Sequence, residues 1–255
     1  MVVGFIHDVG HPGRNNNYLI ATGHELAILY NDESILENHH LAVVFKILNE
    51  PTFDFLVNVD LQQRKVFRKM VIDMVLATDM AKHLHHLGEL KTMVETQKVS
   101  SAGVLVLDKY SDRSEVLQSL VHCADLSNPS KDVALAATWA KRVLDEFFLQ
   151  GDEEKNRGLP VSPLMDRDTV IMEKCQASFI DFVVYPLWEV WAELVFPHAQ
   201  FVLDRLRAMQ DYWTDMIPTS PNHINSTDED SAEFDRSPPV TPRVELSREA
   251  ERFAD

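Results

Sequence analysis

The sequence predicts an all-α fold. Glycine is scarce, eight in 255 residues, and apolar residues recur over long stretches at i, i+3 and i+4. Neither alternating strand pairs nor internal repeats are found. Helices packed in several layers around one large core are the architecture such a pattern supports.

The elements follow in chain order. Met1 to Ile6 is an apolar run leading into His7-Asp8-Val9-Gly10-His11. Pro12 disfavours helix at His11, so the helix is expected to end there and the chain to turn through Pro12-Gly13. Ser34 and Glu37 have the spacing of a capping box that opens a helix from Ile35 to Asn49. Leu61 to Val94 carries Val66, Met70, Val71, Met74 and Val75 with basic residues between them, a helical period. An apolar helix from Val116 to Val121 precedes His122-Cys-Ala-Asp125-Leu-Ser-Asn128-Pro129. Ala134 to Gln150 reads as a helix ended by Gly151. Asp168 to Val195 reads as helix with a kink at Pro186. Pro197 suits the first turn of a helix running to Met216, and Pro218 stops it.

After Ile217 the composition changes to Pro, Ser, Thr, Asn and acids. A segment of that kind buries too little apolar surface to offset the entropy of ordering. The expected organisation is a folded domain over residues 1–217 and a disordered tail over 218–255. Ser220, Ser237 and Thr241 each precede a proline in this tail, which makes them candidate sites for proline-directed kinases; the plainer reading is a solvated linker.

The net charge is −16, of which the tail contributes −5. An acidic body argues against a nucleic-acid backbone as partner. It does not exclude a phosphate substrate, because bound cations reverse a local field. The two cysteines, Cys123 and Cys175, lie in apolar helical contexts and read as buried thiols of a reducing compartment. No signal peptide is seen and no apolar run approaches the length of a membrane span, so a cytoplasmic location is expected.

Three clusters carry chemistry. His7 and Asp8 diverge by about 100° on a helix, so both can hold one ion only at a helix end or between helices. Asp125 and Asn128 share a face at the end of an apolar helix; an acid there takes a cation or several donors, or serves as a local cap before the Asn-Pro turn. Gln176 and Phe179 present an amide and an aromatic face together, which suits a planar base as well as ordinary core packing. His39 and His40 read as satisfied core groups beside the site, His83, His85 and His86 as a solvated polar face, and Trp188 and Trp191 as core.

In order along the chain, His7-Asp8 through His11-Pro-Gly13-Arg-Asn-Asn16-Asn-Tyr18, Asn31 to His40, Met70 to Met80, Val121 to Pro129 and Gln176-Ala-Ser-Phe179 resemble the class I cyclic-nucleotide phosphodiesterases, most closely the cAMP-specific class 4 branch. The likeness covers about residues 3 to 218. It implies an HD-type helical catalytic domain that hydrolyses cAMP to 5′-AMP with Zn2+ and a second divalent ion, Mg2+ or Mn2+. His7, Asp8 and Asp125 would be zinc ligands, with Asp8 also touching the second ion. His11 would stand near that second ion. Gln176 would select the purine, Phe179 would clamp it, and Asn128 would face its edge. Asp79, Met80, Leu126 and Trp139 would line the pocket.

The departures shape the expectations. In the family a Tyr-His…His element before the first motif supplies the general acid and the fourth zinc ligand, whereas six residues precede His7. The resemblance therefore implies a domain without its first helices, with turnover at least about 100-fold lowered by loss of the acid. Glu37 matches the carboxylate that pairs with that acid. Gly10 stands where the branch has Asp, and Ala136 replaces a pocket aromatic. The alternative functions are a truncated regulator that binds nucleotide or forms homo-oligomers with complete copies, and another His-Asp phosphohydrolase acting on nucleotides.

Overall fold

The structure, a computed structural model, describes residues 1–99, 107 and 109–218. Among the described residues there is no strand, as expected. The helices are α1 (Val2–Ile6), α2 (Asn16–Ala21), α3 (Glu25–Leu29), α4 (Ile35–Leu48), α5 (Leu61–Leu76), α6 (His83–Val99), α7 (Tyr110–Asp125), α8 (Val133–Asn156), α9 (Met172–Phe179), α10 (Tyr185–Leu194) and α11 (Gln200–Asp215). The predicted tail, with Ser220, Ser237 and Thr241, lies outside the described residues. No helix among the described residues is long and apolar enough to cross a membrane.

The core is built from matched apolar stripes. Val202, Leu203, Leu206, Met209 and Trp213 form the buried face of α11, at the spacing of one helix side. Leu203 packs with Leu90 of α6, Cys123 of α7 and Leu187 and Trp191 of α10. Met209 and Trp213 meet Ala136 and Ala140 of α8 and Ala177 of α9, small side chains that let these helices approach. Val3 of α1, Leu41 of α4 and Val71 and Val75 of α5 form a further cluster, against which Val121 of α7 packs. This cluster brings the C-terminal ends of α1 and α7 together. As expected, Trp191 is buried core and Trp188 packs against it. Cys123 is a buried free thiol, and Cys175 is a free thiol that is half-buried.

Several boundaries differ from the sequence reading, each for a physical reason. α1 ends at Ile6, and residues 7–10 turn on their own, with Gly10 at φ +74°. The long period from Leu61 to Val94 is two helices, broken where Asp79 caps a 3-10 turn at Met80–Lys82 by accepting from the Ala81 N–H at 3.0 Å. α8 does not stop at Gly151 but runs to Asn156. A Cβ at Gly151 would stand 1.8 Å from the Met165 carbonyl oxygen, so this glycine serves close packing within a helix and not termination.

Ser34 holds the N-cap position of α4, but its side chain does not cap the helix. It sits in the left-handed region at φ 42°, and its hydroxyl donates to Asp79 Oδ2 at 2.7 Å. The side-chain acceptor comes instead from Asn16, whose Oδ1 accepts from the Leu36 N–H at 3.0 Å. α9 begins at Met172, and a π-turn over Ile180–Val184 separates it from α10, where Pro186 occupies the first turn. α11 begins at Gln200, so Pro197, which follows a cis peptide bond, lies in the preceding turn.

The histidines of α6 also depart from expectation. His85 is exposed, but His83 is buried and its Nδ1 lies 2.8 Å from Nε2 of the buried His122. A residue at the start of a helix faces whatever the next helix offers, and here that is the inner face of α7.

Candidate metal centre and adjoining cavity

His7 caps the C-terminal end of α1 and Asp8 follows it in the turn. Asp125 is the last residue of α7. The cluster around Val3, Val71 and Val75 holds these two ends side by side. His7 Nε2 lies 3.2 Å from Asp8 Oδ2 and 3.3 Å from Asp125 Oδ1. One donor atom from each of the three residues falls within a span of 4.8 Å.

The charges are strongly coupled. Hydrogen bonding to Asp125 and then to Asp8 raises the His7 pKa to about 10 against the cost of burial. The same contact with His7 holds the Asp8 carboxyl below the usual range. A proton at His7 Nε2 thus occupies the place between two carboxylates where a cation fits. One nitrogen and two carboxylate oxygens is a donor set suited to a divalent metal. The fit extends to His40, which is buried and hydrogen-bonds through Nδ1 to the Val9 carbonyl at 2.8 Å. Its Nε2 is thereby left facing Asp8 Oδ1, at 3.9 Å. His7 Nδ1 is buried without a partner, a departure from the usual second hydrogen bond of a metal-binding imidazole.

His11 links this centre to a cavity. Its ring stacks on His40 with centroids 5.8 Å apart, and its Nδ1 accepts from the Gly13 N–H at 3.0 Å. The cavity, of about 390 Å³, is lined by His11, Asn16, Glu37, Asp79, Met80 and Glu146 among others. Burial raises the Glu37 pKa, and a hydrogen bond from Asn16 Nδ2 at 3.1 Å partly opposes that rise. Asp79 is fixed by Ser34, whose hydroxyl also accepts from Lys82 Nζ at 2.7 Å. With Asp8 and Asp125 nearby at the metal cluster, the carboxylates of Glu37, Asp79 and Glu146 would repel a phosphate, so an anionic ligand needs cations to enter here.

Residues 1–206 match the family described as 3′5′-cyclic nucleotide phosphodiesterase. The chain belongs to this family. Phosphodiesterases of the family are metal-dependent, in keeping with the donor cluster at His7, Asp8 and Asp125. Two relatives from Drosophila melanogaster, a 3′,5′-cyclic-AMP phosphodiesterase, isoform F, and its isoforms N/G, are each 55% identical over 216 residues, or 85% of this chain. The chain spans only 33% and 22% of their lengths. Among solved structures, that of LmjPDEB1 in complex with IBMX superposes with a TM-score of 0.78 at 30% identity, covering 84% of this chain and 63% of the other. The expected cAMP-specific branch is thus supported by sequence identity and the expected phosphodiesterase fold by superposition.

Within this phosphodiesterase domain the remaining candidates lie apart from the cavity just described. Phe179, at the end of α9, lines a separate cavity of about 550 Å³ with Ile171 and Lys174, and Gln176 is half-buried on the same helix. Leu126 and Phe179 both pack against the buried cluster of Val184, Val202 and Leu206. Asn128 donates through Nδ2 to the Ala136 carbonyl at 3.2 Å, leaving Oδ1 buried and unpartnered. Trp139 is 48% exposed, with the Arg142 guanidinium over its ring. Ala136 is buried among Ala140, Ala177 and Trp213, not open to a pocket.

Sequence reasoning gives no role to Asn16, which lies within a family-like motif, nor to Glu146 or Gln150. Asn16 carries a signal, since Asn favours caps, but its target lies 20 positions away. Gln150 carries none. It is buried, accepts from the Asn15 N–H at 2.9 Å, and so anchors the loop that bears His11.

Proposed function

We propose that this chain hydrolyses the 3′ ester bond of 3′,5′-cyclic AMP to give 5′-AMP, with Zn2+ held by His7, Asp8 and Asp125 and a second ion, Mg2+ or Mn2+, beside Asp8. The observation that carries this reading is the meeting of one imidazole and two carboxylates from distant helices at one point. The names of the Drosophila relatives supply the substrate.

Divalent ions at such a site supply Lewis-acid chemistry and lower the pKa of bound water. The chain's own residues do the rest. His7 presents Nε2 while its backbone is fixed at the end of α1. Asp8 would contribute a carboxylate oxygen to zinc and its other oxygen to the second ion. His40 keeps its lone pair toward Asp8 because Nδ1 is committed to the Val9 carbonyl. His11 lines the adjoining cavity, where its ring can hydrogen-bond water or a phosphate oxygen, and Glu37 lines it as an acceptor for water. Asp79 and Met80 line the same cavity. By the family likeness Gln176 would read the purine edge, with Phe179, Asn128, Leu126 and Trp139 confining the base, although these residues stand outside the cavity lined by His11 and Asp79. An overall cytoplasmic setting suits this substrate.

A second reading draws on the exposed apolar side chains of Phe5, Ile28 and Leu29, which favour association into a homo-oligomer that binds nucleotide without turnover. Sedimentation of the purified chain separates the two: a stable monomer that converts cAMP supports the first. The direct test of the first reading is chromatography of the nucleotide product with Zn2+ and Mg2+ present. 5′-AMP is expected; 3′-AMP, or no product at all, contradicts the proposal.

A further inference from the structure

Gln150 and Glu154 lie one turn apart on α8, and both are buried. Every polar atom of Gln150 is used. Its Oε1 accepts from the Asn15 N–H at 2.9 Å, and its Nε2 donates to Asn15 Oδ1 at 3.0 Å and to Glu154 Oε1 at 2.9 Å. The Glu154 carboxylate reaches on to Ser162. Its Oε2 accepts from the Ser162 N–H at 2.6 Å, and its Oε1 from the Ser162 hydroxyl at 2.7 Å. Burial pushes the Glu154 pKa up, but the donors of Ser162 and Gln150 outweigh it and hold the carboxyl below its usual range. Two buried side chains thus tie two loops, distant in sequence, to one face of α8.

Both loops reach the same cavity. Asn15 belongs to the turn of His11, and Ser162 to that of Met165, whose N–H donates to the Ser162 carbonyl at 3.1 Å. His11, Met165 and Gln150 itself line the cavity. In the first turn the Gly13 N–H donates to His11 Nδ1 at 3.0 Å. A ring nitrogen that accepts carries no proton, so neutral His11 has its proton on Nε2. That bond depends on where the Gly13 N–H points. Gly13, at φ +70°, is fixed from two residues on by the hold of Gln150 on Asn15.

We infer that Gln150 and Glu154 are positioning residues of this cavity. Through them α8 clamps the His11 turn and the Met165 loop as one unit. The clamp keeps neutral His11 in the Nε2–H form, a donor suited to a phosphate oxygen. Only the choice of phosphate rests on the phosphodiesterase reading.

The test compares the full chain with two variants. Gln150→Met keeps the length of the side chain without its hydrogen bonds, and Glu154→Gln turns one carboxylate oxygen into a donor that faces other donors. Amide exchange of Gly13 and Asn15 and imidazole nitrogen NMR of His11 are read at about pH 8.5, where an ordinary imidazole is neutral. The wild type should show one His11 tautomer, protonated on Nε2. Gln150→Met should speed exchange at both amides by about tenfold or more and mix the tautomers. Glu154→Gln should shift both readouts in the same direction, although its own bonds go to Ser162 and Gln150. Leu203→Ala, a core truncation on α11, controls for lost stability and should change neither readout. His11 protonated on Nδ1 in the wild type overturns the inference. So does unchanged protection in either variant, or equal acceleration in Leu203→Ala. With cAMP, Gln150→Met should raise KM by about tenfold, and an unchanged KM overturns the donor role of His11. A wild type without turnover counts against the phosphodiesterase reading alone, because exchange and tautomer are read without nucleotide.

Discussion

His7 and Asp125 are 118 positions apart in the chain, yet Nε2 of one lies 3.3 Å from Oδ1 of the other. Neither is placed by its own segment alone. Val3, one helical turn before His7, and Val121, one turn before Asp125, belong to the same apolar cluster with Val71 and Val75. The centre is therefore assembled by core packing of α1 and α7 on α5. A methyl lost from that cluster loosens the ligand geometry as well as the fold. Val75→Ala is expected to cost about 2 kcal/mol in urea unfolding and to weaken Zn2+ binding measurably; unchanged affinity would separate the core from the centre.

At Gly151 α8 lies against the loop of Met165, whose carbonyl oxygen stands 1.8 Å from where a Cβ would go. Since the obstacle is backbone and not a flexible side chain, Gly151→Ala should destabilise by about 2 kcal/mol or more despite alanine's higher helix propensity. Chemical denaturation checks it. A stabilised variant would mean that the loop of Met165 yields freely.

Asn16 caps α4 and also donates to Glu37. Asn16→Ala is expected to cost about 1 kcal/mol. It should also raise the Glu37 pKa further, because one donor that opposes the effect of burial is removed. Denaturation and carboxyl NMR titration of the same variant report the two effects; a Glu37 pKa that falls would contradict this account.

The buried His83–His122 pair makes stability depend on pH. Burial pushes His122 down to about 4 and lowers His83 as well, with His86 adding repulsion to both. In the window from about 6.5 to 4 the unfolded chain binds protons that the folded chain refuses, so stability rises with pH there and falls on acidification. Lowering pH from about 6.5 to 5 should remove about 1.5 kcal/mol through His122 alone. His7, whose pKa is raised, contributes a constant amount below about 6.5 and does not mask the trend. Urea midpoints of the metal-free chain at the two pH values test this, and His122→Asn should flatten the difference. Equal midpoints in the wild-type chain would refute it.

How much was legible in the sequence depends on the range of the interaction. The helical period marked where the long helices lie, because one-sided burial leaves a local imprint, as in Val202 to Trp213, but it ran α5 into α6 and α9 into α10. The short helices α2 and α3 left no such imprint. Gly151 and Ser34 were misread because a glycine needed for packing and one needed for termination look alike, as do a capping serine and one that bonds to Asp79 45 positions on. His83 was misread because its partner lies on another helix. In the candidate site, His7, Asp8 and Asp125 were legible through motif order, and His11, Glu37, Asp79 and Met80 do share one cavity. Asn16, Glu146 and Gln150 were not, since nothing local distinguishes a polar residue that faces a cavity from one that faces solvent.

The central claim is that His7, Asp8 and Asp125 together hold a divalent cation. Zn2+ binding by isothermal titration, with the wild-type chain and Asp125→Asn side by side, addresses it without reliance on turnover. Tight saturable binding is predicted for the wild type, with a loss of about 100-fold or more in Asp125→Asn as one anionic ligand disappears. Equal Zn2+ affinity in the two proteins would contradict the account.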